Sequence, residues 1–271
     1  MSGRHLGLGL LGGALLALAQ PYALCRGCVD ITVPLGQVRD TLRVVPGDGI
    51  VSGLLVHSDT AWFTVYSLPC PAENHGPVAI DSSRYQVDIV ATDRDTVVRE
   101  IIQSSSGSAD TADYDRASVA PRWRVSHWGN LITRYEVRNG RALWWLGGGS
   151  GVYDSLALPL SKPAFLDGSQ GLLVQGLTVL DRPHRPIRLS FFGIRGMGSS
   201  ELATYELMAE VRGSERVSVP GMGTRNAWVV KVGSSVSDLT YWIDTTTRKV
   251  LMWEASESEG MCPRRSVRSG W

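Results

Sequence analysis

The sequence predicts a mainly β protein: one large antiparallel sheet, curled or incompletely closed like an unfinished barrel, with a short helix packed inside and a hydrophobic N-terminal segment ahead of it. Three observations carry this expectation. Roughly a dozen short runs rich in β-branched and aromatic residues follow one another from Leu42 onward, separated by turn formers every 8–12 residues or so. In several runs apolar residues recur at every second position, as they must where one face of a strand is buried. Helix-like sequence is confined to one short stretch, which excludes a parallel doubly wound domain, whose strands need intervening helices. A chain of 271 residues with 43% hydrophobic residues is ample for one core. No repeat of constant period and no linker divides it, so residues 30–257 read as a single domain and 258–271 as a basic tail.

Taken in order, Arg4 and His5 precede an apolar stretch from Leu6 to Ala19, and Ala17-Leu18-Ala19 supplies the small residues of a signal-peptidase site. This is the pattern of a secretory signal over residues 1–19, cut before Gln20. The same stretch extended over residues 6–24 approaches the roughly 20 residues that cross a bilayer, so an uncleaved anchor competes with the cleaved signal. Leu24, ahead of Cys25, is not the small residue a lipoprotein signal needs. Both readings place the rest of the chain outside the cytoplasm, in the periplasm or on the outer face of the inner membrane.

Cys25, Cys28, Cys70 and Cys262 all lie beyond the expected cut, and an even number in an exported chain predicts disulfides, with three pairings open. Cys25-Arg26-Gly27-Cys28 has the spacing of a redox pair but sits on an extended segment, not at a helix start after a strand. Val29 stands where haem attachment needs His, and no second pair completes a zinc site.

Val44-Val45 and Ile50 to His57 flank the Pro46-Gly47-Asp48-Gly49 turn as strands, followed by Ala61–Tyr66, Tyr85–Ala91 and Thr96–Gln103. The polar run Ser104–Asp115 reads as an exposed loop. Leu131–Val137 and Ala142–Leu146 flank Asn139-Gly140, the pair best suited to a type I′ hairpin turn. Alternation lapses between Pro159 and Leu177, where Ala164–Gly176 predicts a short helix against the sheet. Strands resume at Ile187–Ile194, Thr204–Val211, Ala227–Val232, Leu239–Ile243 and Lys249–Ala255. Pro263–Trp271, basic and small, reads as a frayed end.

A net charge of +1 excludes a field able to hold a nucleic-acid backbone. Signatures of catalysis fail one by one. Gly148-Gly149-Ser150-Gly151-Val152 lacks the glycine two places after serine that a nucleophile elbow requires. The glycines at 193–198 and 221–223 lack phosphate-loop spacing. His57, His75, His127 and His184 are scattered, with no zinc-helix pattern. The expectation is no catalytic residue, no metal, no cofactor and no enzyme. Asp93 with Asp95, and Glu254, Glu257 and Glu259, read as solvated charge. Arg264, Arg265 and Arg268 read as a solubilising tail, or as a contact to anionic lipid worth on the order of 1 kcal/mol each.

The C-terminal half carries a recognisable pattern: Phe165-Leu166-Asp167 before Leu172-Leu173 and Gly176-Leu177; Ala203-Thr204-Tyr205-Glu206; Ala227-Trp228-Val229-Val230-Lys231-Val232; Tyr241-Trp242-Ile243-Asp244; and Arg248-Lys249-Val250-Leu251. Ala120-Pro121-Arg122-Trp123 fits upstream. Over about Asp115–Glu257 this resembles an exported bacterial family of unknown function whose sheet is similar to that of the lipoprotein carriers of the Lol pathway. The resemblance implies a half-barrel wrapped around a helix, with a concave face able to hold acyl chains or another apolar ligand, and no catalytic residues. Candidate lining residues are Phe165, Phe191, Trp228, Val230, Tyr241, Ile243 and Leu251; aromatic strand residues also serve as plain core.

Two functions follow as expectations. One is a non-enzymatic envelope protein that binds a lipid, another apolar ligand or a protein partner on the concave face. The other is an accessory subunit anchored by residues 6–24 and docked on a larger membrane complex. Trp144, Trp145, Trp242 and Trp253 bear on the choice, since a group of exposed indoles marks a membrane or partner interface and buried ones mark core.

Overall fold

The computed structural model describes residues 41–70, 76–183, 186–195, 201–233, 238–256 and 262–270. The signal or anchor expected at the N-terminus, Cys25 and Cys28 fall outside these residues. Sixteen strands form one sheet: β1 (Leu42–Val44), β2 (Asp59–Ser67), β3 (Val78–Ala91), β4 (Thr96–Ser104), β5 (Ala109–Asp115), β6 (Pro121–Trp128), β7 (Leu131–Arg138), β8 (Arg141–Gly148), β9 (Gly151–Pro159), β10 (Phe165–Leu166), β11 (Pro186–Arg195), β12 (Glu201–Val219), β13 (Gly223–Gly233), β14 (Asp238–Asp244), β15 (Val250–Ala255) and β16 (Arg264–Gly270). A helix, α1, spans Gln170–Gly176. Among the described residues no helix is long and apolar enough to cross a membrane.

The strands run in the order β1-β11-β12-β13-β14-β15-β16-β2-β3 and on to β9, with β10 paired beside β11. All pairings are antiparallel except those of β1 and β10 with β11. The sheet curls but does not close. Its concave face and α1 share one core: Phe63, Tyr85, Val87, Val98, Tyr114, Phe191, Val230, Tyr241 and Trp253 from the strands meet Leu172, Leu173, Val174 and Leu177. At the open end, the inner face of β7–β9 laps over the reverse face of β10–β12. Trp144, Ala142, Leu156 and Leu158 there meet Leu166, Phe192 and Leu202, so apolar packing bridges a gap that no backbone ladder spans. Phe191 and Phe192, adjacent in sequence, therefore serve opposite faces of β11.

Helix α1 is seven residues long, too short to persist alone. It is held at its C-terminal end. The Gly176 carbonyl accepts from Ser52 N at 2.9 Å, and Val51 bridges Leu177. Arg248, from the β14–β15 turn, donates to the Gln175 carbonyl at 3.0 Å and to that of Leu177, satisfying acceptors that the helix end leaves open. Its guanidinium lies 5.5 Å from the Trp228 ring centre.

The expected Asn139-Gly140 turn forms, with φ of 52° and 70°. Three expectations are corrected. The polar run 104–115 is a loop only to residue 108; Ala109–Asp115 is strand β5, whose Asp110 and Asp113 meet Arg124 and Arg99 of the neighbouring strands. Ile50–His57 supplies no strand but an isolated bridge at Val51 and a 3-10 turn at Gly53–Leu55, capped by the Ser52 hydroxyl. The basic tail is not frayed: Arg264–Gly270 is β16, inserted between β15 and β2. Its arginines find carboxylates there, Arg265 on Glu254 at 2.7 Å and Arg268 on Asp59 at 2.6 Å. Cys70 and Cys262 form a disulfide beside this seam, with their Cα atoms 5.0 Å apart.

Candidate functional site

The concave face holds a partly open pocket of about 40 Å³ between α1 and strands β2, β3, β4, β14 and β15. Phe63, Tyr85, Tyr241 and Trp253 supply its rings; Ile102, Leu239 and Val250 supply aliphatic wall; Ser83 and Glu100 supply polar groups; Gly168 and Gly171 form the roof. Phe63 and Tyr85 meet edge to face, their centres 6.3 Å apart, and Tyr241 and Trp253 are directly paired across β14 and β15. That volume holds roughly three waters, at 10–15 Å³ for each.

The β4–β7 side of the interior is polar. Along β4 the inward positions are Val98, Glu100 and Ile102, and the register carries the Glu100 row through Ala112 to Arg124 and Tyr135. Arg124, 4% exposed, donates to Asp110 from Nε at 3.3 Å and Nη2 at 2.9 Å, and from Nη1 to the Asp167 carbonyl at 2.8 Å. Gly168 makes that last contact possible. Its φ of 85° suits glycine, and a Cβ there would collide with the Arg124 guanidinium.

Glu100 is 5% exposed and accepts a hydrogen bond from the Tyr114 hydroxyl at 3.2 Å. Tyr85 also bonds to it and accepts from Gln175 Nε2 of α1 at 3.1 Å. Burial raises the Glu100 carboxyl to about 7, against the opposing pull of Arg124 and of both tyrosine hydroxyls. Burial, followed by the charge of Glu100, pushes Tyr85 and Tyr114 well above the usual phenol range. Burial likewise raises Asp167, which Tyr205 and Gln170 hydrogen-bond. These shifts make a stability prediction. Between about 4.5 and 7 the folded protein holds a proton on Glu100 that the unfolded chain has released, so stability falls as pH rises through that window. Glu100→Gln removes this dependence. Urea titrations at pH 5 and pH 8 are expected to show the wild type losing on the order of 3 kcal/mol more than the variant over that interval.

Of the seven residues singled out from the sequence, Tyr241 lines the pocket. Phe165, Phe191, Val230 and Ile243 are buried in the same core, with Trp228 half-buried against it. Leu251 is on the opposite face, with Val217, Val219 and Ala227, because a bulge at Trp242–Ile243 shifts the alternation opposite it. Trp144 and Trp253 are buried, while Trp145 and Trp242 are half-buried, Trp145 near Arg134 and Trp242 bonded to Glu215 at 2.5 Å. Among the described residues the exposed indole is Trp62, on the outer face of β2. Sequence reasoning passed over Phe63, Ser83, Tyr85 and Glu100. Among the described residues no group of His, Cys, Asp and Glu is placed to hold a metal ion.

Fold and pocket together define the class: an open, curled β sheet wrapped around a short helix, with a small aromatic pocket on its concave face. Against known proteins, no family model matches the chain, and no curated protein matches it.

Proposed function

We propose that the protein is an exported, non-enzymatic binding module whose concave face receives the end of an apolar ligand. The pocket carries this reading. Four aromatic side chains converge with a few polar groups on a concave, partly open site, the usual make-up of a small-ligand pocket. The wrapped helix is what a likeness to the lipoprotein carriers implies, and it supports the same reading. The pocket's size sets a limit: with the rest of the interior filled by α1 and the core, only one end of a ligand enters, and its body lies outside.

Extraction of the purified protein into organic solvent, followed by mass spectrometry, tests the proposal. An apolar species approaching one per chain is expected, and lost when Ser83→Phe fills the pocket. A clean extract, together with no binding of added decyl compounds, overturns it.

A second reading, an anchored accessory subunit, is favoured by one observation. The β6–β7 and β8–β9 turns bring exposed Leu131, Ile132, Val152 and Tyr153 to one end of the sheet, on segments 128–133 and 146–153 that contain no charged residue. An intact N-terminus in membrane-bound protein is the outcome expected of that reading, and a cleaved one in the soluble fraction removes it.

A further inference from the structure

Glu100 is a buried carboxylate without an ion-pair partner among the described residues; its hydrogen bonds come from two tyrosines. The nearest guanidinium, Arg124, is committed to Asp110 through two nitrogens and to the Asp167 carbonyl through the third. Buried Arg268 and half-buried Lys249 are committed as well, both lying on Asp59. A carboxylate removed from water is costly unless a cation meets it, and the described residues give Glu100 no ion pair, only the more distant pull of Arg124.

The rest of the pocket has the character of a cation site. The faces of Phe63, Tyr85, Tyr241 and Trp253 carry the negative part of the ring quadrupole, which attracts ammonium groups. Ser83, 3% exposed, lines the pocket, and a serine oxygen can accept from an N–H. A space of about 40 Å³ fits an aminomethyl end.

Resting on the apolar-ligand reading above, we propose that the group entering the pocket is the protonated amine of a primary alkylamine or aminolipid, paired with Glu100, its apolar portion projecting past Gly168 and Gly171. The charged and titratable groups around Glu100 are Tyr85 on β3, Asp110 and Tyr114 on β5 and Arg124 on β6, with Asp59 on β2 beyond Tyr85. Of these, only Glu100 both lines the pocket and changes charge near neutrality, so ligand binding strengthens as pH rises through that range.

Isothermal titration of the whole exported protein with decylamine, decanol and decanoate, each below its micellar concentration, tests this at pH 8. Decylamine is expected to bind at least tenfold more tightly than decanol, and decanoate least. At pH 5.5 the advantage of decylamine is expected to shrink severalfold. In Glu100→Gln, the advantage of decylamine over decanol is expected to be lost. The wild-type series decides the matter even if the variant fails to fold. Equal or tighter binding of decanol in the wild type overturns the amine assignment and leaves the apolar pocket standing; no binding of any of the three overturns both. A further arm identifies the source. Pelleting with phosphatidylethanolamine vesicles, and not with phosphatidylglycerol vesicles, assigns the amine to a lipid headgroup, whereas binding of decylamine without pelleting assigns it to a free amine.

Discussion

Arg268→Ala is expected to destabilise the protein by about 3–5 kcal/mol, the cost of stranding one partner of a buried ion pair. Arg268 is fully buried, and both its terminal nitrogens donate to Asp59, at 2.8 and 2.6 Å, with the Val250 carbonyl accepting as well at 3.2 Å. Lys249 remains 2.9 Å from Asp59 in the variant, so some charge compensation survives. The carboxylate nevertheless loses its two-pronged partner and β16 loses its hold on β2 and β15. Against the 5–15 kcal/mol by which native proteins usually exceed their unfolded state, this is a large fraction. Urea denaturation followed by tryptophan fluorescence gives the value. A loss below 1 kcal/mol would show that Lys249 alone satisfies Asp59. The double variant Asp59→Asn with Arg268→Met, which removes both charges, should recover part of the loss.

The second large effect is at the disulfide. Cys70 follows β2 and Cys262 precedes β16, with Leu68 N donating to the Pro263 carbonyl at 2.8 Å between them. The bond closes a loop spanning 192 positions, and the chain-entropy relation gives about 5 kcal/mol for a loop of that size. Cys70→Ser with Cys262→Ser is therefore expected to lower Tm by roughly 10–20 °C, at the 2–4 °C per kcal/mol usual for a domain of this length. Calorimetry with and without reductant measures it. Arg268 and Cys262 both secure β16, so combining Cys262→Ser with Arg268→Ala should cost less than the sum of the two.

Strands whose inward row is apolar were legible in the sequence. Trp228, Val230 and Val232 on β13 and Tyr241 with Ile243 on β14 announce themselves by period two, and the Asn139-Gly140 hairpin by its turn. Strands whose inward row is charged were not. In β5 the buried row is Asp110, Ala112 and Tyr114, and in β16 it includes Arg268; both read as solvent-loving until partners on other strands are known. Those partners are distant in sequence, Asp59 being 209 positions from Arg268.

The same ambiguity hid Glu100. Residues 97–102 of β4 present two interleaved rows, Val97-Arg99-Ile101 and Val98-Glu100-Ile102, each with one charge between two apolar residues. Alternation alone cannot say which row faces inward. Gly168 was equally silent, because the group that leaves no room for a Cβ there is Arg124, on another strand.

Strand β16 also fixes the timetable of folding. It fills the middle of the sheet between β15 and β2, so no backbone ladder joins the two halves of the sheet until residues 264–270 have been made. At 5–20 residues per second, β2, already paired with β3, waits on the order of 10–40 seconds before its second neighbour exists, holding one unpaired edge that invites pairing with another chain. Completion of the sheet therefore waits for its last strand. A chain truncated at Pro263 would keep nearly all its core residues and present two further open edges, on β15 and β2, which β16 covers in the intact protein.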